Sequence, residues 1–335
     1  MLVCESERFG SKEIVIMDKR ILLTFDYELF LGAKSGTVDK CLIAPTNMLL
    51  DVLKRNKMKA VFFIDTTYLM RMNELKDSYT QIGNDFELIK KQLLDIAAQG
   101  HKLCHHLHPH WIDAEYIPTE NQWSLLNDRR YNIETLSQEQ KKQIFDFSVS
   151  FLSETTGVGK TANGYRAGGL HIEPFVTVRE EFERCGIDTD YSGVAKIEDG
   201  VVSYKFENST LSPDENGRFT EFPISQIRIH GLRKIVNGVY YRLARGSKKY
   251  KPMGNGLPSA PKKKVGNASK TKLEFSLPIS VELLTPVLLA YYKKLLRKYS
   301  YVHFLSHPKL QSFATIKLLD KFLKWCNNND VKSVF

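Results

Sequence analysis

Histidine is concentrated in one short stretch of the chain. Five of the nine histidines lie in the run GHKLCHHLHPHW, residues 100–111. Each neutral imidazole that is buried needs a hydrogen-bond donor and an acceptor, so five packed together are hard to satisfy in an ordinary core. Imidazole nitrogen is a preferred ligand of zinc. The cluster therefore predicts a metal site.

The spacing within this cluster is compatible with two different pairs of metal ligands. His106, His108 and His110 share parity and would face one side of a strand. His106 and His110 would be about 13 Å apart on an extended strand, too far for one ion with bonds of about 2 Å. A turn at Pro109 would bring them together, whereas His106 and His108 can bind one ion without a turn. His105, by parity, and His101, by position, are predicted to be structural.

Acidic and basic residues follow other predicted strands directly. Asp26 and Glu28 come after the apolar run ILLTF, Arg166 follows a short strand, and His307 follows FLS. Two carboxylates at i and i+2 point to the same side of a strand. If the strands are parallel and form a barrel, all these residues lie at the carboxyl ends, where barrel active sites are built.

Short apolar runs alternate with helical patterns along the chain. Strands are predicted at 20–25, 59–65, 101–107, 164–166, 186–189, 219–225, 301–306 and 331–335. Helices are predicted at 46–55, 84–99, 136–155, 175–185, 278–298 and 311–327. Asn84 or Asp85 is the expected cap of the second helix, and Ser137 with Gln140 the expected capping box of the third. This alternation predicts parallel βα units, and the absence of a Gly-rich dinucleotide fingerprint favours a barrel over a Rossmann sheet.

The same residues carry a resemblance to a known family. The ordered segments TFDYE (24–28), GH (100–101) through His106-x-x-x-His110, YRAG (165–168), EFP (221–223) and LSHP (305–308) resemble the motifs of the polysaccharide deacetylase superfamily, carbohydrate esterase family 4 with its NodB homology domain. The resemblance covers about residues 20–327. It implies an α/β fold, a distorted (β/α)7-type barrel, in one catalytic domain over 1–335.

The resemblance also implies roles for individual residues. Asp26 would be the general base, and Glu28, His106 and His110 the ligands of one divalent metal, usually zinc, with His108 as a further candidate ligand. Arg166 would orient and hold the base ionised, and His307 would be the general acid. In this sequence Tyr27 stands between the two acidic residues. The acidic partner of His307 stays open among Glu221, Asp188 and Asp190.

These expectations define a hydrolase that removes an N-acetyl group from a sugar in the biosynthesis of a polysaccharide or surface glycan. Trp111, Tyr27 and Tyr165 are the predicted sugar-contacting aromatics. Two alternatives remain at this point. An amidohydrolase-like enzyme also uses His-x-His at a barrel strand end, though normally on the first strand, and a glycan-binding barrel without turnover would keep the fold alone.

Charge is distributed unevenly over the 335 residues. The net charge is +10, and residues 242–272 contain ten basic residues and no acidic one. Without those ten, 38 basic residues stand against 38 acidic ones, so the whole excess lies in this Gly-, Pro- and Ser-rich segment. We interpret 242–272 as a basic loop insert. It is either a solvated loop or a contact for an anion: a diphosphate-linked sugar, an acidic glycan or an anionic membrane face. Nucleic acid is not expected, because few aromatics interleave with the charges.

The cellular compartment is predicted from the pattern of cysteines and the length of the apolar runs. Five scattered cysteines without a CxxC pattern favour free thiols in a reducing environment. We find neither a secretory signal at the N-terminus nor an apolar run of about 18 residues. The sequence therefore predicts a cytoplasmic protein.

Overall fold

A computed structural model describes residues 18–125, 132–157, 163–230, 235–240, 247–257 and 274–335. Its strands are β1 (Arg20–Tyr27), β2 (Val61–Asp65), β3 (Lys102–Leu107), β4 (Glu115–Ile117), β5 (Gln122–Ser124), β6 (Gly164–Ala167), β7 (Thr189–Asp190), β8 (Val194–Lys196), β9 (Tyr204–Phe206), β10 (Phe219–Glu221), β11 (Ile224–His230), β12 (Glu274–Pro278), β13 (Tyr301–Ser306) and β14 (Lys332–Ser333). Its longer helices are α1 (Ala44–Arg55), α2 (Thr66–Leu75), α3 (Thr80–Ala98), α4 (Gln138–Thr156), α5 (Val176–Cys185), α6 (Pro286–Lys298) and α7 (Phe313–Asn327).

Seven parallel strands form the central sheet of the described chain. Their order is β13-β1-β2-β3-β6-β7-β10, with β9 antiparallel at the far edge and β14 beside the start of β1. The strands are buried on both faces: β2 is buried at every position and β1 at all but its first. This accounts for their continuous apolar sequence. The sheet curls into a half-barrel, which confirms the predicted (β/α)7-type fold.

A second, three-stranded sheet lies across the open side of this half-barrel. Its order is β12-β11-β8. Ser225 of β11 accepts through Oγ from the backbone N of His303 at 2.9 Å, and the Leu305 backbone N donates to the Ile279 carbonyl at 2.9 Å. The predicted strand over 219–225 is thus two strands, β10 and β11, which belong to different sheets. Pro223 lies between them and lacks the N–H that a continuous ladder requires.

Helix ends follow local side-chain chemistry in most cases. Ser137 and Gln140 form the predicted capping box of α4, and a second box joins Ser312 and Thr315 at the start of α7. The predicted cap of α3 was wrong, because that helix begins at Thr80, before Asn84. Helix α2 was not predicted. It follows β2 directly, and Asp65 caps it by accepting from the Tyr68 backbone N.

The parallel register brings the predicted site residues to one end of the sheet. Asp65 pairs with His106, His106 pairs with Arg166, and Phe25 pairs with Ser306. Asp26, Glu28, His106, Arg166 and His307 therefore all lie at or just beyond the carboxyl ends of β1, β3, β6 and β13. This is the end at which parallel α/β barrels carry their active sites.

Only part of the predicted basic insert lies within the described residues, namely 247–257. This part is fixed to the carboxyl end of the barrel: the backbone N of Met253 donates to the Gln311 carbonyl at 2.8 Å, and that of Gly254 donates to the Lys309 carbonyl at 3.0 Å. An added Cβ at Gly254 would lie 2.6 Å from the Lys309 carbonyl oxygen. The remainder of 242–272 lies outside the described residues, and the single-domain organisation stays a prediction.

The structure bears on two predictions, that the cysteines are free and that no segment spans a membrane. Cys41, Cys104, Cys185 and Cys326 have free thiols, and Cys4 lies outside the described residues. Within the part of the chain that the structure describes, no helix is both long and apolar enough to cross a membrane.

Candidate active site

Three ligand-type side chains meet at the carboxyl ends of β1 and β3. Glu28 Oε2 lies 2.5 Å from Nε2 of His108 and 3.2 Å from Nε2 of His106, and the two nitrogens are 3.0 Å apart. All three residues are buried. Among the described residues they are the group of His, Cys, Asp and Glu whose ligand atoms lie within 4.8 Å of one another.

The hydrogen bonds of this cluster point one nitrogen of His106 at its neighbours. His106 Nδ1 lies 2.8 Å from the Arg166 carbonyl, which can only accept, so Nδ1 carries a proton and Nε2 is the atom directed at Glu28 and His108. A carboxylate oxygen and imidazole nitrogens this close repel each other unless a positive charge lies among them. Two imidazoles and a carboxylate are a donor set that zinc uses in catalytic sites, with one position left open. The residues present therefore fit one divalent ion.

The pKa shifts indicate the same preference for a positive charge. Burial alone would lower the pKa of His106, but the hydrogen bond and charge of Glu28 raise it to about 9. Burial lowers the pKa of His108 to about 4, and a charge on His106 adds to this shift. Glu28 thus attracts one positive charge into the cluster, and that charge disfavours a second one.

A buried lysine fixes the remaining oxygen of Glu28. Lys309 Nζ donates to Glu28 Oε1 at 2.7 Å and to the Leu29 carbonyl at 2.6 Å. Burial would raise the pKa of Glu28, but Lys309 and then the two imidazoles hold it well below its usual range. Lys309 therefore keeps Glu28 ionised and leaves Oε2 to the histidines.

His110 lies next to the three-residue cluster and is not one of its members. The chain does turn after His108, through the 3₁₀ segment Pro109–Asp113. His108 itself keeps extended backbone angles (φ −112°, ψ 102°), so it continues the alternation of β3 and shares a face with His106. The ring centroid of His110 is 5.8 Å from that of His108. The cluster thus contains His106 and His108, the pair that can bind one ion without a turn between them.

Glycine at position 168 makes room for His108. An added Cβ there would lie 2.7 Å from His108 Nδ1 and 2.6 Å from the Leu107 carbonyl oxygen. Both contacts are shorter than real Cβ atoms allow, so any side chain would displace the imidazole or the end of β3. The YRAG motif therefore supplies both Arg166 and the space beside His108.

Asp26 lies beside the cluster and is held by a buried arginine. Arg166 Nη1 donates to Asp26 Oδ1 at 2.6 Å, Nε donates to the Tyr191 carbonyl at 3.1 Å, and Nη2 lies 3.0 Å from His303 Nε2. His303 Nδ1 lies 3.1 Å from the Pro223 carbonyl, so His303 is neutral, with its proton on Nδ1. Burial, and then the charge of Arg166, hold the pKa of His303 well below its usual range.

His307 faces both carboxylates from the opposite wall. Its Nε2 is 3.6 Å from Asp26 Oδ2 and 3.6 Å from Glu28 Oε1, and its Nδ1 is 3.0 Å from Glu282 Oε1. Burial would lower the pKa of His307, but the hydrogen bond to Glu282 and the nearby Asp26 raise it overall. Glu282 is held in place because the Val281 backbone N donates to Ser306 Oγ at 2.9 Å.

The acidic partner of His307 is none of the three candidates that the sequence left open, because the fold places their carboxylates elsewhere. Asp190 accepts from the Ser192 backbone N and hydroxyl, and Glu221 accepts from the Gly193 backbone N. Asp188 accepts from the Asn163 side-chain amide at 2.7 Å. The actual partner, Glu282, precedes α6 by four residues and comes from the segment that crosses the open side of the half-barrel.

The predicted sugar-contacting aromatics are core residues. Trp111 has no exposed surface, and its Nε1 donates to Asp65 Oδ2 at 2.6 Å. The Tyr27 hydroxyl donates to Gln92 Oε1 at 2.7 Å, and the Tyr165 ring stacks on Phe145 at a centroid distance of 5.8 Å. Tyr27 points away from the site by parity, since Asp26 and Glu28 occupy the opposite face of the strand.

Four residues of the site region were missed at the sequence level. Asp65 ends an apolar strand as Asp26 does, and His303 interrupts the apolar run of β13, so both carried a signal. Burial raises the pKa of Asp65 to about 7, and its bond to Trp111 fixes the turn that follows His108. Glu282 and Lys309 lie in connecting segments, where nothing in the local pattern marks them.

Comparisons with known proteins agree with this fold. Residues 17–171 match the sequence model of the polysaccharide deacetylase family. A candidate glycoside hydrolase/deacetylase from Parabacteroides distasonis aligns over 94% of this chain and 69% of its own, with a TM-score of 0.52 and 9% identity. That likeness supports the shared architecture.

Two further structures align more loosely. A family 4 carbohydrate esterase from Streptomyces lividans, in complex with acetate, covers 95% of this chain and 93% of its own at 10% identity and a TM-score of 0.42. The catalytic domain of a peptidoglycan N-acetylglucosamine deacetylase from Eubacterium rectale covers 94% and 87% at 15% identity and a TM-score of 0.37. No curated protein matches the chain.

Proposed function

We propose, from the polysaccharide deacetylase family that residues 17–171 match, that the protein removes an acetyl or other acyl group from the nitrogen of an N-acylated sugar. The match of residues 17–171 supports a polysaccharide deacetylase-like hydrolase of carbon–nitrogen bonds. One observation carries the proposal: the candidate base Asp26 and the candidate acid His307 face each other across 3.6 Å beside Glu28, His106 and His108.

The three clustered side chains would hold one divalent ion, with zinc as the first choice for this donor set. Such an ion supplies Lewis-acid polarisation of the amide carbonyl and of a water molecule. His110 lies next to this set and is the alternative ligand that the His106-x-x-x-His110 spacing predicts. Lys309 keeps Glu28 ionised for this role through its bond at 2.7 Å.

Asp26 would act as the general base toward the attacking water. The bond from Arg166 to Oδ1 leaves Oδ2 on the side of His307 and the cluster. A fixed, buried guanidinium favours the ionised form of a carboxylate and fixes its orientation. Arg166 is itself held by the Tyr191 carbonyl and His303, so the base does not depend on solvent for its position.

His307 would act as the general acid toward the leaving amine. Glu282 lies 3.0 Å from Nδ1, which favours the protonated imidazole and directs Nε2 toward the two carboxylates. Proton transfer to nitrogen is required before the C–N bond breaks, since an amine leaves far more readily than an amide anion. The products would be the free carboxylic acid, acetate for an N-acetyl group, and an amino sugar.

The substrate would be a sugar of polysaccharide or surface-glycan biosynthesis, and the enzyme would act in the cytoplasm. The basic residues of 242–272 suit an anionic or diphosphate-linked sugar. The described part of this segment, 247–257, is anchored to Lys309 and Gln311, two and four residues beyond His307. A charged group of the substrate would therefore meet the insert at the entrance of the site.

Acetate release tests the proposed function. Purified protein is incubated with N-acetylated oligosaccharides and sugar diphosphates after chelation, and zinc or cobalt is then restored. We expect release that chelation abolishes and added metal recovers, and that is reduced by about 100-fold or more in Asp26→Asn. Release that is indifferent to chelation, or that Asp26→Asn retains at the rate of the unaltered protein, contradicts the proposal, as does binding of these glycans with no acyl group released.

A further inference from the structure

A short helical segment over 235–240 exposes apolar side chains instead of burying them. Ile235 is 62% exposed, Val236 44% and Val239 53%. Three neighbouring β-branched residues at helical spacing normally form the buried face of an amphipathic helix. Exposed apolar groups clustered in this way mark an interaction surface.

Basic residues neighbour this apolar segment along the chain. In the sequence Arg233 and Lys234 precede the segment, and Arg242 and Arg245 follow it. Within the described residues, Lys248, Lys249 and Lys251 are exposed. The hydroxyls of Tyr240 and Tyr250 are hydrogen-bonded to each other, and this contact joins the lysine-bearing turn to the apolar segment. We call residues 235–240 together with 247–251 the basic apolar surface.

The basic apolar surface lies at the end of the barrel that carries the active site. Thr285 Oγ1 donates to Asn237 Oδ1 at 2.7 Å, and Glu282, three residues before Thr285, lies against His307. On the other side, Met253 is bonded to Gln311, which follows His307 by four residues. Both attachments therefore connect this surface to the segments that position the proposed acid.

We propose that the basic apolar surface docks on an anionic lipid bilayer. Exposed Ile and Val side chains enter the boundary between headgroups and acyl chains, while Lys248, Lys249 and Lys251 contact anionic headgroups. The charge is complementary, because Lys248, Lys249 and Lys251 are exposed on this surface and belong to the stretch 242–272 that holds the entire +10 excess of the sequence. Docking in this way brings the end of the barrel that carries Glu282 and His307 toward the membrane.

The apolar component favours a bilayer over a soluble acidic polymer. A polyanion would neutralise the lysines but would leave Ile235, Val236 and Val239 in water. Membrane binding uses both components, so each should be separately necessary. This inference concerns binding alone and does not depend on the proposed deacetylation.

Vesicle sedimentation of the full chain tests the proposal. The probes are vesicles of phosphatidylcholine alone and of phosphatidylcholine mixed with phosphatidylglycerol. We expect binding to the anionic vesicles only, falling as salt is raised. Both the double variant Ile235→Ser/Val239→Ser and the triple variant Lys248→Gln/Lys249→Gln/Lys251→Gln should reduce the bound fraction, each by roughly tenfold or more.

Matched variants elsewhere on the surface control for composition. Val176 and Leu211 are 72% and 67% exposed, and Val176→Ser/Leu211→Ser should bind as the unaltered protein does. Lys54, Lys57 and Lys91 are exposed, and their triple change to Gln removes the same charge. No binding to anionic vesicles, or equal losses in the controls, overturns the proposal. So does undiminished binding by Ile235→Ser/Val239→Ser together with full competition by soluble polyglutamate, which would identify an acidic polymer as the partner.

Discussion

Arg166 Nη1 donates to Asp26 Oδ1 across 2.6 Å, and both side chains are buried. The two residues are 140 positions apart and come from β6 and from β1. Their pairing fixes which carboxylate oxygen of Asp26 faces the cluster of Glu28, His106 and His108. The Asp26 carboxylate is thereby held in one orientation inside the barrel.

Replacing the base should stop chemistry while the metal site survives. Asp26→Asn retains an oxygen that can accept from Arg166 but cannot take a proton from water. We expect kcat to fall by about 10²- to 10⁴-fold, with zinc affinity close to that of the unaltered protein. Deacetylation kinetics and zinc titration check this. Asp51→Asn, an exposed position on α1, is the matched control and should change neither quantity. Retained activity in Asp26→Asn would exclude Asp26 as the base.

Glu282 should act as a positioning residue for His307. Glu282→Gln removes the charge that lies 3.0 Å from His307 Nδ1, and we expect kcat to fall by about 10- to 100-fold with KM little changed. Glu282→Asp should recover part of the loss, because it restores the charge. Asp188→Asn tests one of the partners predicted from sequence and should leave kcat unaltered. An equal loss in Glu282→Gln and Asp188→Asn would mean that neither effect is specific to the acid.

Much of this arrangement could be predicted from sequence. Apolar runs located the strands of the sheet, polar residues directly after those runs located Asp26, Glu28, Arg166 and His307, and the histidine cluster located His106. These signals are local, because a strand buried on both faces must be apolar until it reaches the carboxyl end of the sheet. The capping box of α4 was equally local.

The remaining features depend on tertiary structure. Glu282 and Lys309 belong to connecting segments, and their partners are set by how those segments cross the barrel mouth. The placement of His108 and His110 depends on where the chain turns. The alternation of side chains along a strand was compatible with His108 or His110 as the partner of His106. The spacing of the histidines did not predict that the backbone stays extended at His108. Tyr27, Trp111 and Tyr165 were predicted to contact sugar and are buried in the core, since aromatic type does not distinguish a core position from a sugar contact.

Gly168 should be required for the metal site because its lack of a side chain leaves room for His108. Gly168→Ala would bring Cβ within 2.7 Å of His108 Nδ1, so we expect zinc affinity to fall by about 10- to 100-fold, the range seen when groups that orient a ligand are altered. Isothermal titration with zinc measures this. Gly238→Ala is the matched control, because an added Cβ there meets nothing within 4 Å. Unchanged affinity in Gly168→Ala would show that His108 is not held by this contact.

His101 should make the protein less stable in acid. Burial lowers its pKa from 6.5 to about 4, the charge of Lys59 adds to this shift, and Asp95 opposes it. Its Nδ1 accepts from the Ala60 backbone N at 3.2 Å, so protonation breaks this bond. Because the unfolded chain takes up the proton first, the stabilisation is complete above pH 6.5 and is lost as pH falls toward 4.

The expected loss from His101 is up to about 3 kcal/mol. Denaturant unfolding at a series of pH values measures it. His101→Gln, which has no proton to gain, should show a smaller decrease over the same range. The same decrease in both proteins would assign the acid sensitivity to other groups.

Zinc stoichiometry measured on three proteins tests the central claim, that Glu28, His106 and His108 hold one divalent ion. The unaltered chain, His108→Ala and His110→Ala are each dialysed against a limiting zinc buffer and analysed for metal. The structure predicts one zinc per unaltered chain, little or none in His108→Ala, and retention in His110→Ala. Zinc that stays in His108→Ala but is lost from His110→Ala, or no zinc in the unaltered chain, would contradict it.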